Sequence, residues 1–481
     1  MLTQGFMMTE HSYDAIIIGS GAGGAACAYK LVQAGKRVLL LEKGGFLPKD
    51  GSTLNVQQVF GEERFKSREP WTDNHNQSLT PGEYYNVGGK TKWYGAALLR
   101  FSPHEFAADP NFQCLGWPIG YADLDPFYIQ AEQLLHINHF DNEPQLSQLI
   151  NRISQVDKSW RVESLPLGLK KDILNHTDEA KHFDGFASPG GYKADAEQNL
   201  LNHLLDNPLF KLLPHKEVAA LLSDDSDPTT ITGVRSSDGV TYFADTVILA
   251  AGAMSSPRIL QHYLQHSGLD KILPSASLVG AYFKLHLNSA LLGFSLFPQQ
   301  DVLRKTAIFF NEAFPHSTVQ CLGWMDGEIL ATQLPQWLPA FLTHALGARA
   351  YGFFVTTEDG SSLDNRIIGQ GDRPKLDYNL KRIPASVAEH RAVTKAFKAR
   401  LLGTGLFGVS QRMGLAATAH ALGSLVTGND PAKSVVDANG KVHGFDNLYV
   451  ADGSVLPRSS RGNPGLTIYA WGLRLGRHLS D

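Results

Sequence analysis

The sequence contains few cysteines and no excess of charge of one sign. Three cysteines occur among 481 residues, at Cys27, Cys114 and Cys321, and their wide spacing does not predict a disulfide framework or a thiolate metal site. This scarcity favours a reducing compartment, so we expect a cytoplasmic protein without a bound metal. The 43 Lys and Arg residues nearly balance the 47 Asp and Glu residues, and we expect no nucleic-acid partner.

Long hydrophobic runs are also missing. No stretch approaches about 18 consecutive apolar residues, so no membrane-spanning helix is predicted. The opening MLTQGFMMTEHSYD has no basic stretch followed by an apolar run, and a secretory signal is therefore not expected. Glycine, in contrast, is abundant, because its 46 residues exceed the usual share of about 7%. Glycine clusters mark places where the backbone approaches another group closely.

The first glycine cluster lies between a predicted strand and a predicted helix. The apolar run YDAIII at residues 13–18 ends in GSGAGG at residues 19–24, and AACAYKLVQAG follows. A second apolar strand, RVLLLE, ends in Glu42, at roughly the 20-residue distance that is typical of a ribose-binding acid. This unit predicts a dinucleotide-binding βαβ fold.

Each residue type in this unit has a physical reason. Gly19 permits the tight turn, Gly21 lets backbone N–H groups approach a pyrophosphate, and Gly24 lets helix and strand pack closely. Glu42 can accept hydrogen bonds from ribose hydroxyls. These residues alone do not distinguish FAD from NAD. Residues 46–86 are polar and irregular, and such an interruption of the βαβ series favours a flavoprotein.

Further along the chain, apolar patterns alternate between helical and strand periods. We expect a helix from Tyr121, a second helix over residues 195–207 and strands around LFKLL and EVAALL. A hairpin is predicted to turn at residues 237–239, and a buried strand follows at Thr246–Ala250.

One later segment is amphipathic. Apolar residues recur at helical spacing at Leu334, Trp337, Leu338, Phe341, Leu342, Ala345 and Leu346. We expect a helix packed on the core of its domain. The alternative is a lid over the substrate entrance, or a contact for a quinone or a membrane surface.

Residues 414–479 carry the densest pattern, with TAHALGS, SVVD, YVADGS and RGNPGLTI. Together with VGGKT near residue 87, GWPIGYADLDPFY, AAGAMSSPRIL and VGAYFKLH, these motifs resemble the glucose-methanol-choline (GMC) oxidoreductases. Within that family, the chain is most similar to bacterial sugar and sugar-acid dehydrogenases and pyranose-oxidase-like proteins. The resemblance implies an FAD enzyme that oxidises alcohols or sugars.

The fold implied is α/β, with a Rossmann-like FAD-binding domain and an inserted antiparallel-sheet substrate domain of α+β type. The FAD-binding domain is expected to be discontinuous, over residues 12–135, 193–285 and 412–481. Residues 286–411 form the substrate domain, and residues 136–192 form a segment that connects and covers the two.

By the same resemblance, His420 of TAHALGS and Asn463 of RGNPGLTI are the catalytic residues. A neutral imidazole, with a reference pKa near 6.5, suits removal of the hydroxyl proton, and a carboxamide can donate to the developing alkoxide while hydride passes to flavin N5. Taken alone, His420 could equally be a core histidine, and Asn463 could cap the helix that begins near Pro464. His286 is undecided between a packing and a supporting role, and His443 is interpreted as structural.

The residues expected to bind FAD come from all parts of the predicted domain. They are Gly19, Ser20, Gly21, Ala22, Gly24, Glu42, Lys43, Gly88, Gly89, Thr91, Tyr94, Gly95, Val218, Ala251, Gly252, Asp452, Gly453 and Pro464. The resemblance implies that Asp452 and Gly453 lie near the ribityl and pyrophosphate groups, and that the Val218 backbone lies near the adenine.

This chain also departs from the family. Some members attach FAD through a histidine that follows the paired glycines, whereas this chain has Lys92, Trp93 and Tyr94 there. We therefore expect noncovalent FAD. Leu285 stands where the family often has an acid, so no carboxylate role is expected at that position.

The predicted reaction is oxidation of the CH–OH group of a sugar, polyol or related alcohol. Electrons are expected to pass to a non-oxygen acceptor such as a quinone or a cytochrome. An oxidase that forms hydrogen peroxide is the alternative within this class. A hydroxynitrile-lyase-like enzyme with structural FAD and a flavin subunit that serves a partner are alternatives from other classes.

Overall fold

The computed structural model describes residues 12–224, 226–334 and 337–481. The expectation about a secretory signal rests mainly on residues that lie outside these ranges. The helices are α1 (Ala22–Gln33), α2 (Tyr121–Leu134), α3 (Pro144–Val156), α4 (Thr177–Lys181), α5 (Ala196–Asn199), α6 (Ser256–Ser267), α7 (Gly327–Gln333), α8 (Ala340–Gly347), α9 (Pro384–Gly403) and α10 (Gly465–His478).

The strands over the same ranges are distributed among three sheets. They are β1 (Tyr13–Ile18), β2 (Val38–Leu41), β3 (Trp71–Asp73), β4 (Ser78–Leu79), β5 (Trp160–Ser164), β6 (Phe210–Leu213), β7 (Val218–Asp224), β8 (Asp227–Ser236), β9 (Thr241–Leu249), β10 (Leu287–Phe294), β11 (Ala307–Asn311), β12 (Ser317–Cys321), β13 (Ala350–Thr357), β14 (Arg366–Ile368), β15 (Lys375–Asp377), β16 (Phe407–Arg412) and β17 (Leu448–Val450).

The first sheet is built around β1, whose Ile16 and Ile17 are fully buried. Strand β1 pairs in parallel with β2 and β9, β2 pairs in parallel with β6, and β9 pairs in parallel with β17. Strands β7 and β8 extend this sheet in antiparallel fashion. Because carboxyl ends of parallel strands meet at one edge, the loops after β1, β2, β9 and β17 come together. Those loops contain half of the predicted cofactor residues.

Helices α1 and α10 pack against each other beside this sheet. Their close approach depends on small residues, because a Cβ added at Gly472 would lie 2.4 Å from the Gly23 carbonyl oxygen. The C-terminal helix is thereby held against the first turn of α1. The predicted strand, turn and helix at residues 13–33 are confirmed.

The second sheet is antiparallel throughout, in the order β16-β10-β13-β12-β11-β5. Helices α3 and α9 cover one face, where Phe397 of α9 packs on Phe309 and Phe353. The predicted α/β domain with an antiparallel second sheet is confirmed. Strand β5 comes from the range 136–192, and β14 and β15 pair with β3 and β4 in a third sheet. The predicted domain boundaries stay a prediction.

Two predicted elements differ in extent. The helix expected over residues 195–207 ends at Asn199, because the backbone of Leu200 leaves the helical region, with φ −128° and ψ −60°, and a short 3₁₀ turn follows at Leu201–His203. The hairpin strand and the strand expected at Thr246–Ala250 are a single strand, β9. Its first half pairs with β8 and its second half with β17.

The expectation that residues 334–346 form one helix packed on the core is wrong. Helix α7 ends at Gln333 and α8 begins after Pro339. Helix α8 packs on α7 through its small residues, since a Cβ added at Gly347 would lie 2.4 Å from the Asp326 backbone. The large apolar side chains therefore point outward, and Phe341 is 71% exposed. Among the described residues, no helix is both long and apolar enough to cross a membrane.

Candidate active site

A cavity of about 880 Å³ lies along the carboxyl edge of the first sheet. Cofactor and small-molecule sites occupy roughly 300–1,000 Å³. The predicted catalytic residues His420 and Asn463 both line it. So do most residues predicted to bind the cofactor: Gly19, Ser20, Gly21, Ala22, Glu42, Lys43, Gly89, Thr91, Tyr94, Gly95, Val218, Ala251, Gly252, Asp452, Gly453 and Pro464.

Two predicted cofactor residues, Gly24 and Gly88, do not line the cavity but support the segments that do. A Cβ added at Gly24 would lie 2.1 Å from the Gly19 carbonyl oxygen and 3.0 Å from the Ala250 Cβ, so Gly24 has the packing role predicted for it. Gly88 has a positive φ of 86°, and its N–H donates to the Ser20 hydroxyl at 3.0 Å. These contacts hold the second glycine turn against the first.

The turn before α1 has the shape of an anion cradle. Gly19 adopts a φ of 107°, and a Cβ there would lie 2.4 Å from the Ala250 carbonyl oxygen, whereas a Cβ at Gly21 would meet nothing within 4 Å among the described residues. No side chain of those residues caps the N-terminus of α1 at Gly21. Backbone N–H groups at a helix start attract anions. The cradle therefore fits the pyrophosphate of a dinucleotide.

Glu42 lies at the end of β2, where the sequence predicts a ribose-binding acid. Its Oε2 accepts hydrogen bonds from the Ser20 N–H at 3.1 Å and the Ser20 hydroxyl at 2.6 Å, and its Oε1 accepts from the Gly44 N–H at 2.8 Å. Burial raises the pKa of this carboxyl, while these hydrogen bonds and one from the Lys43 N–H oppose the rise. Glu42 also lines the cavity, so its carboxylate can accept a hydrogen bond from a ribose hydroxyl there.

Asp452 ties two loops of the carboxyl edge together. Its carboxylate accepts from the Gly252 N–H at 2.9 Å, the Ser256 hydroxyl at 2.5 Å and the Ser454 N–H at 2.8 Å. Burial raises its pKa against these hydrogen bonds. Asp452 therefore joins the loops that follow β9 and β17, and both line the cavity.

His420 is oriented by His286, for which the sequence left the role undecided. The Nδ1 atoms of the two rings are 2.8 Å apart, and His286 Nε2 lies 2.8 Å from the Ser460 carbonyl oxygen. Because a carbonyl only accepts, His286 Nε2 carries the proton. Burial lowers the pKa of His286 to about 4, so its Nδ1 is a bare acceptor for the His420 Nδ1–H. His420 Nε2 is then left with its lone pair.

The surroundings also keep His420 uncharged. Burial lowers its pKa well below the ordinary value, and the positive charges of Lys90 and Lys305 lower it further. Both lysines line the same cavity. A neutral imidazole with an exposed lone pair is the form that can accept a proton.

The Asn463 side chain does not bond the backbone N–H groups of the first helical turn, as a helix cap would. Helix α10 begins at Gly465, and none of the described side chains caps it. The Asn463 Oδ1 instead accepts a hydrogen bond of 2.6 Å from Gln320 Nε2. The cap interpretation is therefore wrong. Sequence reasoning missed Gln320, because it lies on strand β12 with no motif around it.

Two ion pairs on the wall were also missed. Lys305 Nζ lies 2.8 Å from Asp184 Oδ1, and Lys90 Nζ lies 2.5 Å from Glu83 Oε1. Lys90 belongs to the GGKT turn, which could have drawn attention to it. The other three charged residues lie in segments without a recognisable pattern.

Aromatic side chains complete the wall. Trp93 stacks on Tyr84 with ring centroids 4.9 Å apart, and Phe60 and Phe354 also line the cavity. Mostly apolar walls with a few placed polar groups are typical of small-molecule sites.

One group outside this cavity has metal-ligand residue types. Potential ligand atoms of Cys114, His316 and Glu358 lie within 4.8 Å of one another. Glu358 is already held by Arg458, whose Nη2 lies 2.6 Å from Glu358 Oε2, and His316 Nδ1 lies 2.8 Å from the same carboxylate oxygen. A guanidinium in direct contact opposes a cation. The expectation of no metal site stays a prediction.

A parallel sheet that opens in a glycine turn, with a cavity along its carboxyl edge and a neutral histidine on the wall, is typical of a dinucleotide-dependent enzyme. Comparison with known families agrees. The family described as FAD dependent oxidoreductase matches residues 14–331, and the family described as GMC oxidoreductase matches residues 377–472. The chain belongs to the FAD-dependent oxidoreductases and carries the C-terminal part of a GMC oxidoreductase. The predicted FAD cofactor and family are confirmed.

Individual relatives span nearly the whole chain. The 6'''-hydroxyparomomycin C oxidase of Streptomyces lividus is 27% identical, over 98% of this chain and 92% of the relative. The paromamine 6'-oxidase of Streptomyces fradiae is 25% identical over 97% and 91%, and the 2-methyl-1,2-propanediol dehydrogenase of Mycolicibacterium austroafricanum is 23% identical over 97% and 95%. The formate oxidase of Aspergillus oryzae shares the fold, with a TM-score of 0.72 at 15% identity over 98% of both chains.

Proposed function

We propose that the protein oxidises the CH–OH group of a sugar, polyol or related alcohol to a carbonyl. His420 takes the hydroxyl proton, and Asn463 binds the same oxygen. The observation that carries this proposal is the hydrogen-bonded series from the Ser460 carbonyl through His286 to His420, which leaves His420 Nε2 as a proton acceptor on the cavity wall. Two relatives are named as oxidases of amino-sugar compounds and one as a diol dehydrogenase, which supports a hydroxylated substrate.

The residues fit FAD at each of its parts. Residues 19–22 would hold the pyrophosphate over the start of α1, Glu42 a ribose hydroxyl, and the backbone at Val218 the adenine. The second glycine turn, at residues 88–91, would approach the flavin ring. When bound, FAD accepts the hydride released from the substrate carbon.

The side chains of the protein manage the proton and the oxygen. His420 Nε2 accepts the hydroxyl proton, which increases the electron density on oxygen and favours departure of hydride from carbon. Asn463 donates to that oxygen and fixes its position. The aromatic walls restrict water, which strengthens these interactions.

We propose noncovalent attachment of FAD. Lys92 and Trp93 occupy the segment that carries the attachment histidine in some family members, and both have other roles. Lys92 Nζ lies 3.0 Å from Asp195 Oδ2 and 2.7 Å from Glu197 Oε2, and the Trp93 ring N–H donates to Asn86 at 2.9 Å.

The electron acceptor has two candidates. We retain a non-oxygen acceptor as the leading candidate, and the names of the two Streptomyces oxidases favour oxygen as the second. Reoxidation of the reduced protein by oxygen, with hydrogen peroxide measured, and by a quinone under anaerobic conditions decides between them. Fast reoxidation by oxygen with stoichiometric peroxide would contradict the non-oxygen acceptor.

We also propose a reducing compartment. Cys27, Cys114 and Cys321 are buried and free of disulfides. Titration of the protein from its natural host under denaturing, non-reducing conditions is expected to find all three thiols. A missing thiol would contradict this assignment.

The experiment that tests the function is an anaerobic alcohol panel. Purified yellow protein is mixed with sugars, aminoglycosides, short diols and aryl alcohols, and the flavin absorbance is followed. We expect at least one class to bleach the flavin and to yield a carbonyl product. Turnover of a cyanohydrin with the flavin oxidised throughout would instead support a lyase, and no bleaching by any alcohol would overturn the proposal.

A further inference from the structure

Gln320 connects the second sheet to the catalytic amide. It lies on β12, between Ile308 of β11 and Phe354 of β13, and it is 1% exposed. Its Nε2 donates to Asn463 Oδ1 at 2.6 Å. The donor and the acceptor belong to distant segments of the chain, so this contact forms only when the second sheet packs against the segment before α10.

A second contact holds the same segment. The Thr318 hydroxyl, two residues earlier on β12, donates to the Arg461 carbonyl oxygen at 2.8 Å. Alternate residues of a strand share a face, so Thr318 and Gln320 approach the segment from one side. Strand β12 therefore fixes its backbone through Thr318 and the Asn463 side chain through Gln320.

The polarity of the Gln320 contact determines which end of the carboxamide is free. A carboxamide has an oxygen that accepts and a nitrogen that donates, on opposite sides of its terminal carbon. With Oδ1 held by Gln320, Nδ2 is the end left for a substrate oxygen. Rotation of the Asn463 amide alone would bring two N–H groups together, and such a pair of facing donors is unfavourable.

We infer that Gln320 is a positioning residue, which holds Asn463 with Nδ2 toward the substrate oxygen. This inference rests on the proposed alcohol oxidation. His286 orients His420 in a corresponding way, so the base and the donor each have a buried partner. Both partners lie in the predicted substrate domain, His286 immediately before β10 and Gln320 on β12.

The test is a double-mutant cycle on flavin reduction at saturating alcohol, with the alcohol that bleaches fastest in the panel. Gln320→Met keeps similar length without a hydrogen-bond donor. We expect it to lower the reduction rate constant about 10-fold or more at unchanged FAD content, because small misplacements of a catalytic group are costly. In an Asn463→Ala background, the same change is expected to lower the rate less than about 2-fold, since there is no carboxamide left to orient.

Ser317→Ala is the matched control, because it removes hydrogen bonds from the same strand to Thr357 and Glu389 without touching the segment that carries Asn463. Its flavin is expected to be reduced at nearly the wild-type rate. Equal losses for Gln320→Met in both backgrounds would overturn the inference, and so would a loss explained by lower FAD content or a lower melting temperature.

Two further measurements cover the cases in which these rates are uninformative. Asn463→Asp keeps an acceptor for Gln320 but lacks Nδ2, and wild-type reduction by this variant would overturn the inference even if Gln320→Met does not fold. If no alcohol reduces the wild-type flavin, the proposed function fails by itself. The orientation is then judged from crystal structures, and an unchanged Asn463 side chain in Gln320→Met would contradict the role of Gln320.

Discussion

At the scale of single residues, the pH response of His420 follows from its surroundings. Burial lowers its pKa, and the charges of Lys90 and Lys305 lower it further, so the unprotonated base persists at lower pH than for a free histidine. We expect the rate constant for flavin reduction to stay constant as the pH falls through about 6.5, the ordinary histidine pKa. The rate should decline only at clearly lower pH, measured by rapid mixing at saturating alcohol. A decline centred at or above that value would show that His420 is not the base or is not buried as described.

A substitution at Gly21 is expected to weaken cofactor binding without affecting folding. A Cβ at Gly21 would meet no described atom within 4 Å, but it would point into the place proposed for the pyrophosphate. Gly21→Ala is therefore expected to leave the melting temperature of the apoprotein unchanged and to weaken FAD binding at least 10-fold, measured by titration of apoprotein. Gly414→Ala, also in open space, is the control. Wild-type FAD affinity in Gly21→Ala would place the pyrophosphate elsewhere.

The two candidate catalytic residues were predictable, because each lies in a recognisable motif. The residues that contact and orient them were not. His420 and Asn463 line one cavity because their segments carry recognisable patterns. Gln320, Asp184 and Lys305 act through contacts between segments far apart in the chain, and a single sequence gives no spacing rule for such contacts. The orientation of His420 by His286 likewise becomes evident only once both rings are located.

At the scale of elements, helices α8 and α9 have opposite relations to the core. Phe341 of α8 is 71% exposed, whereas Phe397 of α9 is fully buried. We expect Phe341→Ala to change the free energy of unfolding by less than about 0.5 kcal/mol. Phe397→Ala should lower it by about 3–5 kcal/mol. Denaturant unfolding of the two variants measures both values. A large loss of unfolding free energy in Phe341→Ala would instead show that α8 packs Phe341 on the core.

Elements were predicted well where the spacing of apolar residues and the flanking residues indicated the same structure. The run before Gly19 becomes the central strand β1, because its isoleucines are buried on both faces of a parallel sheet. The failure at residues 334–346 has the opposite cause. Helical spacing of large apolar residues indicates a face but not what covers it, and here Thr343 and Gly347 form the buried side of α8.

At the scale of the whole molecule, FAD is expected to be released on denaturation and to stabilise the folded protein when it binds along the first sheet. Acid precipitation should leave FAD in the supernatant and a colourless pellet. Readdition of FAD to apoprotein should raise the melting temperature in proportion to the logarithm of its concentration, because it binds the folded state. A pellet that stays yellow after denaturation would contradict noncovalent attachment.

The overall architecture could be inferred from the order of motifs, but its assembly could not. Strand β5, from the range expected to connect the domains, closes the edge of the second sheet beside β11. Strand β15 pairs with β3 across some 300 residues of sequence. Pairings of this kind depend on which edges remain free after the larger sheets form, and local patterns carry no information about that.

The most direct test of the central proposal is a single-turnover comparison of wild type, His420→Ala and His443→Gln with the alcohol that reduces the flavin fastest. His443 bonds Ser434 and lies outside the cavity wall, so it serves as the matched histidine. We predict that His420→Ala keeps its FAD and is reduced about 100-fold more slowly or worse, while His443→Gln is reduced at the wild-type rate. Reduction of His420→Ala at the wild-type rate would contradict the assignment of the base.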